Sequence, residues 1–304
     1  MPDVIGLQSP TMAAFVLAFE CYGARVGVST NEASIFDLLP KYLPVKSDLI
    51  SLSAVENKFT LLKGDPASSS GRDGAYCLYD SECLVLSTSD LHVALEQLAS
   101  ELDAVVALEA SPSLFVHAGV VGWRGGAIVI PGRSMTGKTS LVMELVRTGA
   151  TYYSDEYAVF DRQGQIHPFP RPMHLRTGEL GRWQKITAES LGSHVGTGAL
   201  PVALVVATQY DPRARWSPKL LEPGQTVLRL FDNTVDALRR PEDAIDIFAR
   251  VAAGCVAITG ARPSSEQVAP FLLALCAQTT QSRAFAEPSE CYSDFNLDPL
   301  PTNP

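Results

Sequence analysis

Hydrophobic residues recur with two different periods along the chain, and the change of period separates predicted helices from predicted strands. Over Asp90–Ala110 the leucines and valines return at helical spacing, which predicts a long amphipathic helix. Earlier, a helix is predicted over Asn31–Leu39, with Asn31 as its cap and Pro40 as its end. Apolar runs of strand length lie at Ala13–Phe19, Arg25–Val28, Leu49–Leu52, Lys58–Leu62, Ala75–Tyr79 and Glu82–Leu86. The first part of the chain therefore reads as a small α/β region.

Two apolar runs follow Pro112, and the link between them is too short for parallel pairing. Leu114–Val121 and Ala127–Ile130 are separated by a tight turn around Trp123–Gly126. Parallel strands need a crossover of about a dozen residues or more, whereas antiparallel strands need only a turn. The two runs are therefore predicted to form an antiparallel hairpin.

The remaining elements alternate between helix and strand. The helices are predicted at Thr139–Arg147, at Pro241–Gly254 and from Ser264 onward. The strands are predicted at Thr151–Tyr153, Tyr157–Phe160, Gln165–Phe169, Pro201–Ala207, Val227–Leu230 and Cys255–Thr259. Thr177–Gly198 is polar and contains glycine, so it could be a mobile loop, and the polar, proline-rich end from Arg283 is expected to be disordered.

Composition and charge narrow the functional class. The chain has 304 residues and a net charge of −9, with no run of Lys and Arg, which argues against a dedicated nucleic-acid-binding protein. No apolar run is long enough to span a membrane, and the first ten residues lack the pattern of a signal peptide. The six cysteines are scattered without a C-x-x-C pair, which is typical of free thiols in a reducing compartment. We therefore expect a cytoplasmic protein.

The segment PGRSMTGKTS, Pro131–Ser140, carries the most specific chemistry in the chain. Gly132, Gly137, Lys138 and Thr139 fit the phosphate-loop pattern G-x-x-x-x-G-K-[ST]. Glycines let backbone N–H groups approach phosphate oxygens, and the helix that follows presents the positive end of its dipole. The residues predicted to bind a nucleotide phosphate are Gly132, Arg133, Ser134, Met135, Thr136, Gly137, Lys138, Thr139 and Ser140.

Two adjacent carboxylates, Asp155 and Glu156, follow the first strand after the loop helix. One helix and one strand return the chain towards the loop, so both side chains are expected near the phosphates. A polyphosphate site needs carboxylates to hold Mg²⁺. The alternative is a solvated acidic turn.

A basic, proline-punctuated segment, Pro168–Arg176, comes next. Arg171 and Arg176 could point at phosphates from an extended, rigid strand. A plain surface strand explains the same residues equally well.

Four segments together resemble the HPr kinase/phosphorylase family, in its HPr-kinase-related branch. They are His117–Gly119, the loop PGRSMTGKT, YYSDEYAVFD and PFPRPMHLR. The resemblance is clear over Leu114–Arg176 and extends loosely to about residue 280. It implies an α/β fold whose mixed sheet carries a phosphate loop, similar to the C-terminal domain of HPr kinase and to phosphoenolpyruvate carboxykinase. We accordingly divide the chain into a small α/β region (1–111), a nucleotide-binding domain (112–282) and a tail (283–304).

The resemblance also implies roles for individual residues. The family transfers the terminal phosphoryl group of ATP to a serine hydroxyl. Asp155 matches the first residue of the family's Asp-Asp pair and is the candidate base, with Lys138 on the phosphates. Glu156 stands at the second position and is assigned, together with Thr139, to Mg²⁺, although the two carboxylates could exchange roles. His117 matches a histidine near the family's active site, while a histidine on a buried strand is more often a packed core residue.

The departures from the family leave the function open. The N-terminal region does not look like that of the bifunctional regulators, and the Glu-bearing signature of the phosphorylase reaction is not found. The acceptor could be a serine of a small protein or peptide, or a small-molecule hydroxyl. A non-catalytic ATP-binding sensor is the second hypothesis, with a homo-oligomer left open for both. An ordinary P-loop ATPase or GTPase is disfavoured, because there the strand before the loop lies in a parallel sheet.

Overall fold

The computed structural model describes residues 15–52, 55–64, 75–132, 136–177 and 182–285, with backbone alone at 176–177, 182–183 and 283–285. The chain divides into two compact units, Met1–Ser111 and Pro112–Pro304. The polar segment Gly64–Gly74, whose composition predicts a loop, lies almost entirely outside the described residues, as does the predicted tail from Arg283 onward.

The first unit is a twisted sheet with helices. Its elements are β1 (Phe15–Cys21), β2 (Ala24–Thr30), α1 (Ala33–Phe36), β3 (Asp48–Leu49), β4 (Asn57–Lys63), β5 (Tyr76–Asp80), β6 (Cys83–Thr88) and α2 (Leu91–Glu109). The strand order is β3-β1-β2-β4-β5-β6, and the described pairs are antiparallel except for β2 with β4. The helix α2 lies against β2, β4, β5 and β6, and the Asp90 carboxylate caps it by accepting from the N–H groups of His92 and Val93.

One helix of this unit is shorter than predicted and has a different cap. The helix α1 covers only Ala33–Phe36, with Glu32 rather than Asn31 at its N-cap position, and a separate 3-10 turn covers Leu39–Lys41. Asn31 instead bonds the backbone of Lys63 in both directions, at 3.0 and 2.9 Å. A short polar side chain at a strand end can bind either the next helix or a neighbouring strand, and here it binds the strand.

The second unit is built on a larger mixed sheet. Its strands are β7 (Leu114–Trp123), β8 (Gly126–Pro131), β9 (Thr151–Ser154), β10 (Tyr157–Phe160), β11 (Gln165–His167), β12 (Met173–Thr177), β13 (Arg182–Ile186), β14 (Leu200–Tyr210), β15 (Lys219–Leu220) and β16 (Val256–Arg262). Its helices are α3 (Lys138–Arg147), α4 (Pro223–Phe231), α5 (Pro241–Gly254) and α6 (Ser265–Phe285).

The order of the main path is β11-β10-β7-β8-β14-β16-β15, and β9 also pairs with β7. The predicted hairpin is confirmed, because β7 and β8 pair antiparallel. On its other side, however, β8 pairs parallel with β14, and β14 pairs parallel with β16. The strand before the loop therefore has an antiparallel neighbour on one edge and a parallel neighbour on the other. The hairpin in the sequence predicts only the antiparallel neighbour. The chain is a mixed α/β protein.

Side chains alternate between the two faces of this sheet, as the strand period requires. Ile128 and Ile130 join a buried cluster with residues of α3 and α6. Ala127 and Val129 join a second buried cluster with residues of α4 and α5. The central strands are thus apolar on both faces, and α3 is fixed against the sheet directly beyond the loop.

Two predictions for this unit are wrong. Val227–Leu230 is not a strand but part of α4, where Glu222 and Gln225 form a capping box around Pro223. Thr177–Gly198 is not simply a polar loop, because it contains β13, which pairs with β12, and a 3-10 turn at Glu189–Leu191.

No helix in the described ranges is long and apolar enough to cross a membrane.

Candidate functional site

The strand β8 leads directly into the glycine-rich loop, and α3 starts immediately after it at Lys138. Gly137 occupies the N-cap position with φ 83°, a left-handed conformation that favours glycine. The N–H of Gly132 donates to the carbonyl of His117 at 3.0 Å, which ties the start of the loop to β7. Arg133, Ser134 and Met135, predicted to contact phosphate, lie outside the described residues.

The end of the loop is held by a buried arginine at the end of β16. Arg262 is 2% exposed, and its guanidinium donates to the Gly137 carbonyl at 2.6 Å. In a trans peptide the carbonyl and the following N–H point in opposite directions. Holding the Gly137 carbonyl therefore also fixes the direction of the Lys138 N–H. A Cβ at Gly137 would lie 2.6 Å from the same guanidinium, so this position has a second reason to be glycine.

Asp155 and Glu156 lie where β7 changes its antiparallel partner. Val120 pairs with Ser154 of β9, and His117 pairs with Tyr157 of β10, so the two acidic residues bridge the gap opposite Gly119. The N–H of Ala118 donates to the Glu156 carbonyl at 3.1 Å. Both carboxylates are therefore positioned by backbone pairing with the strand that also anchors the loop.

Asp155 is the more perturbed of the two acids. Burial raises its pKa from 3.8 to about 7, although a hydrogen bond from the Thr139 hydroxyl and the charge of Lys138 oppose the shift. Its Oδ1 atom is buried, and no donor in the described part of the chain reaches it. Near neutral pH this carboxyl is therefore poised between its two protonation states.

Glu156 is shifted in the opposite direction. Its contact with His117, whose Nδ1 lies 3.7 Å from Oε1, is the largest cause, and it lowers the pKa of Glu156 despite partial burial. At 3.7 Å this contact is an ion-pair distance rather than a short hydrogen bond. Lys138 and His174 add to the effect. The environment thus moves the pKa values of the two neighbouring acids apart, so that near neutral pH Asp155 is partly protonated and Glu156 is ionised.

Lys138 lies between the loop and the acidic pair. Burial lowers the pKa of its ammonium group, while the charges of Glu156 and Asp155 act in the opposite direction. A cation held next to two carboxylates at a helix N-terminus is suited to neutralise an anionic ligand. The structure thus brings His117, Lys138, Thr139, Asp155 and Glu156 together.

Among the described residues no set of three or more His, Cys, Asp and Glu side chains is arranged to hold a metal by itself. The donors that are present nevertheless suit a hard cation, since they comprise the unpaired Asp155 Oδ1, the Thr139 hydroxyl and the Glu156 carboxylate. Mg²⁺ bound with a polyphosphate needs only one or two protein carboxylates. These residues therefore fit Mg²⁺ that is bound together with phosphate oxygens, but they do not form a complete metal site by themselves.

The predicted basic strand is placed only in part. The Arg171 carbonyl accepts from the Tyr152 hydroxyl at 2.7 Å, so this backbone is anchored beside β9. Arg176 pairs with Trp183 through the backbone, and its side chain lies outside what the structure describes. His174 is close enough to Glu156 to lower its pKa. Contact of Arg171 or Arg176 with phosphate remains a prediction.

Sequence reasoning missed Tyr210 and Arg262. They end the two strands β14 and β16, where they are register partners, and the Arg262 guanidinium lies over the Tyr210 ring at 5.6 Å. Because β8, β14 and β16 are parallel, their carboxyl ends meet at one edge, the usual ligand edge of such sheets. The two β-branched strands are visible in the sequence, but their parallel arrangement with β8 is not.

The chain was compared with known protein families, curated proteins and solved structures. No family model matches the chain, and no curated protein matches it. Among solved structures, one that matches is the Hpr(Ser) kinase/phosphatase from Coxiella burnetii, with 13% sequence identity and a TM-score of 0.34, covering 56% of this chain and 98% of that one. Neither the fold nor the role of any residue in this chain is inferred from a likeness at this TM-score.

Proposed function

We propose that the chain is a Mg-ATP-dependent kinase that transfers the terminal phosphoryl group to a hydroxyl acceptor, either a serine of a small protein or peptide or a small molecule. The observation that carries this proposal is the convergence of the loop, Lys138 and the two differently charged acids at one site. The proposal includes the nucleotide-binding domain over 112–282 and a cytoplasmic location.

The reaction requires positioning and charge neutralisation more than covalent chemistry. The loop backbone and the α3 dipole hold the phosphates, and Lys138 neutralises charge that develops on the terminal group. The acceptor oxygen bonds to the terminal phosphorus as the bond from phosphorus to the bridging oxygen breaks, which releases ADP. The acceptor proton passes to the Asp155 carboxylate.

Asp155 suits the role of base because its pKa of about 7 lies near the working pH. Glu156 suits a role that needs permanent charge, since its pKa is lowered. Mg²⁺ would be held by Thr139 and Glu156 together with the phosphates, and would supply charge neutralisation there, with Asp155 as the metal ligand if the two acids exchange roles. His117 orients Glu156 through the 3.7 Å contact.

The test is transfer of label from Mg-ATP carrying a labelled terminal phosphate, in a lysate of the source cells that retains small molecules. Wild type, Asp155→Asn and Lys138→Ala are compared, and products are separated on a gel and on a thin-layer plate. The matched control is Asp246→Asn, the same chemical change at an exposed position of α5. We expect transfer with wild type and the control only, while Asp155→Asn still binds ATP.

The outcomes separate the hypotheses. Label in a protein or peptide band defines a serine-type kinase, and label in a metabolite defines a metabolite kinase. ATP binding without transfer to any acceptor would overturn the kinase proposal in favour of a nucleotide sensor. Rapid hydrolysis without acceptor would favour an ATPase, and full activity of Asp155→Asn would remove this residue from the role of base.

A further inference from the structure

A cavity of about 360 Å³ opens beside the end of the loop, within the size range of small-ligand sites. Gly137 and the exposed Ser140 begin one wall, which continues along α3. Tyr210 and Arg262, at the carboxyl ends of β14 and β16, form another wall, and Leu175 of β12 contributes from the side. Ser265 and Glu266, at the start of α6, complete the lining, so the cavity is built from five separate elements that meet at the ligand edge of the sheet.

None of the five clustered residues His117, Lys138, Thr139, Asp155 and Glu156 lines this cavity. The charged cluster and the cavity are therefore two distinct regions that meet at the start of α3, where Gly137 lines the cavity and Lys138 belongs to the cluster. In a phosphate loop the backbone holds the inner phosphates and the lysine reaches the terminal ones. A polyphosphate with its terminal group at the charged cluster must then leave the loop on the other side, where the cavity is.

We propose that this cavity binds the nucleoside, base and ribose, of the nucleoside triphosphate, an inference that rests on the proposed function. The walls suit this ligand. Tyr210 is 48% exposed and lines the cavity, with the Arg262 guanidinium over its ring, so part of the ring is accessible to a flat base, and Leu175 offers an apolar contact. The exposed Ser140 at the loop end supplies a hydroxyl where the ribose joins the phosphates.

The binding direction follows from the arrangement. The nucleoside lies at the ends of β14 and β16, the phosphates cross the N-terminus of α3, and the terminal phosphate faces Asp155 and Glu156. The acceptor hydroxyl must then approach from the side of β7 and β10, away from Tyr210. Tyr210 thereby becomes a nucleotide-binding residue that no motif marks.

The test compares two ligands that share phosphates and differ in the nucleoside, namely Mg-ATP and Mg-tripolyphosphate, by calorimetric titration of the full chain. Tyr210→Ala should weaken ATP binding by roughly tenfold, the usual scale for one stacked base, and leave tripolyphosphate binding unchanged within about twofold. Leu175→Ala, on a different element, should also weaken ATP binding, but by less than Tyr210→Ala. The control is Leu238→Ala, at a side chain that is 91% exposed, which should change neither titration.

The possible results separate the inference from the proposed function. If ATP binds wild type no more tightly than tripolyphosphate, or if both variants leave the ratio of the two affinities unchanged, the nucleoside does not occupy this cavity and the inference fails while the phosphate site stands. If wild type binds neither ligand, the proposed function itself fails, and the inference with it. If Tyr210→Ala weakens both ligands equally, Tyr210 acts on the loop through Arg262 rather than on a nucleoside, and the inference also fails.

Discussion

Asp155 and Glu156 are neighbours in the chain, yet the fold gives them opposite electrostatic environments. Burial dominates at Asp155, whereas contact with His117 dominates at Glu156. The difference arises because Asp155 Oδ1 lies within the space between β7 and α3, 3.8 Å from where a Gly119 Cβ would be. Because burial disfavours the ionised carboxylate, Asp155 lowers the free energy of unfolding at neutral pH. Residues that destabilise the fold in this way are typical of functional sites.

This loss of stability can be measured through the pH dependence of unfolding. The pKa of Asp155 is raised on folding from 3.8 to about 7, so its contribution to stability is fully present below pH 4 and is lost as pH rises to 7. Replacing the carboxyl by a neutral amide removes this dependence. Asp155→Asn should therefore gain stability relative to wild type between pH 5 and pH 8, by about 2 kcal/mol.

The measurement is urea unfolding at pH 5, 6, 7 and 8 for wild type and variant, read as the difference between the two. A constant offset reports the altered hydrogen bond to Thr139 and not the titration, so only the slope counts. Asp246→Asn makes the same chemical change at an exposed site and controls for the substitution itself. A flat difference for Asp155→Asn would show that this carboxyl is ionised as usual in the folded protein.

The side chain of Arg262, at the end of β16, connects the end of the loop to the parallel strands. Arg262→Met keeps the length of the side chain and removes the donor to the Gly137 carbonyl. A hydrogen bond from a charged donor contributes about 1.5–3 kcal/mol, so Mg-ATP affinity should fall by about tenfold or more if the bond positions the loop. Calorimetric titration measures the change.

A matched control exists for this variant. The guanidinium of Arg250 also donates to a backbone carbonyl, that of Arg162 at 2.8 Å, but on the exposed side of α5. Arg250→Met should leave the titration as in wild type. Equal affinities for wild type and Arg262→Met would mean that the loop holds its shape without this bond.

At the scale of elements, the packing of α3 on β7 depends on a missing side chain. A Cβ at Gly119 would collide with Cγ2 of Val142 on α3 and would approach Asp155 Oδ1. Gly119→Ala should therefore destabilise the protein by about 1–3 kcal/mol, the usual cost of overpacking.

The double variant Gly119→Ala/Val142→Ala identifies the cause. Removing the Val142 methyl groups makes room for the new one, so the double variant should be more stable than the sum of the two single effects predicts. Gly198→Ala, where the new Cβ meets nothing within 4 Å, is the control that should change little. Urea unfolding gives all four values. Strict additivity would show that the strain arises elsewhere.

Local chemistry explains which elements the sequence predicts well. Pro241–Gly254 has the bounds that its sequence predicts, because proline in the first turn and acidic residues at the positive end mark a helix start. Val227–Leu230 resembles a strand because a run of only four apolar and basic residues fits the strand period and the helix period equally well. The feature that identifies a helix is the capping box of Glu222 and Gln225 just upstream. The loop and the acidic pair are recognisable because both lie within one short segment of the sequence.

Pairing between distant segments is the information that local sequence lacks. The residues of Leu200–Tyr210 and Val256–Arg262 predict two strands, but they do not indicate that these strands run parallel to β8. The sequence therefore cannot predict that Tyr210 and Arg262 lie beside the loop. Parallel order is fixed by the packing of the intervening helices over the whole unit.

At the scale of the whole molecule, the site residues described above all lie in the second unit. Mg-ATP at about 100 times its Kd should stabilise the structure it binds by roughly 2.7 kcal/mol. Hydrogen exchange should therefore slow in peptides that cover the loop, α3 and the ends of β14 and β16. Peptides from residues 15–110 should exchange as before.

The measurement is exchange followed by mass spectrometry with and without Mg-ATP, for wild type and Lys138→Ala. The variant controls for nucleotide bound elsewhere, because it should show no slowing. Protection confined to the first unit would contradict the placement of the site.

The hydrogen bond between Arg262 and Gly137 spans 125 positions of the chain. During synthesis the loop, Lys138 and both acids leave the ribosome well before β16 and its arginine. Contacts between residues so far apart form late, because the intervening chain must be ordered first. The glycine-rich segment therefore depends on a distant part of the chain for its native conformation at Gly137. A nascent chain that ends before Arg262 carries the whole motif without the cation that holds the Gly137 carbonyl, so under the proposed function nucleotide binding would begin only once β16 is complete.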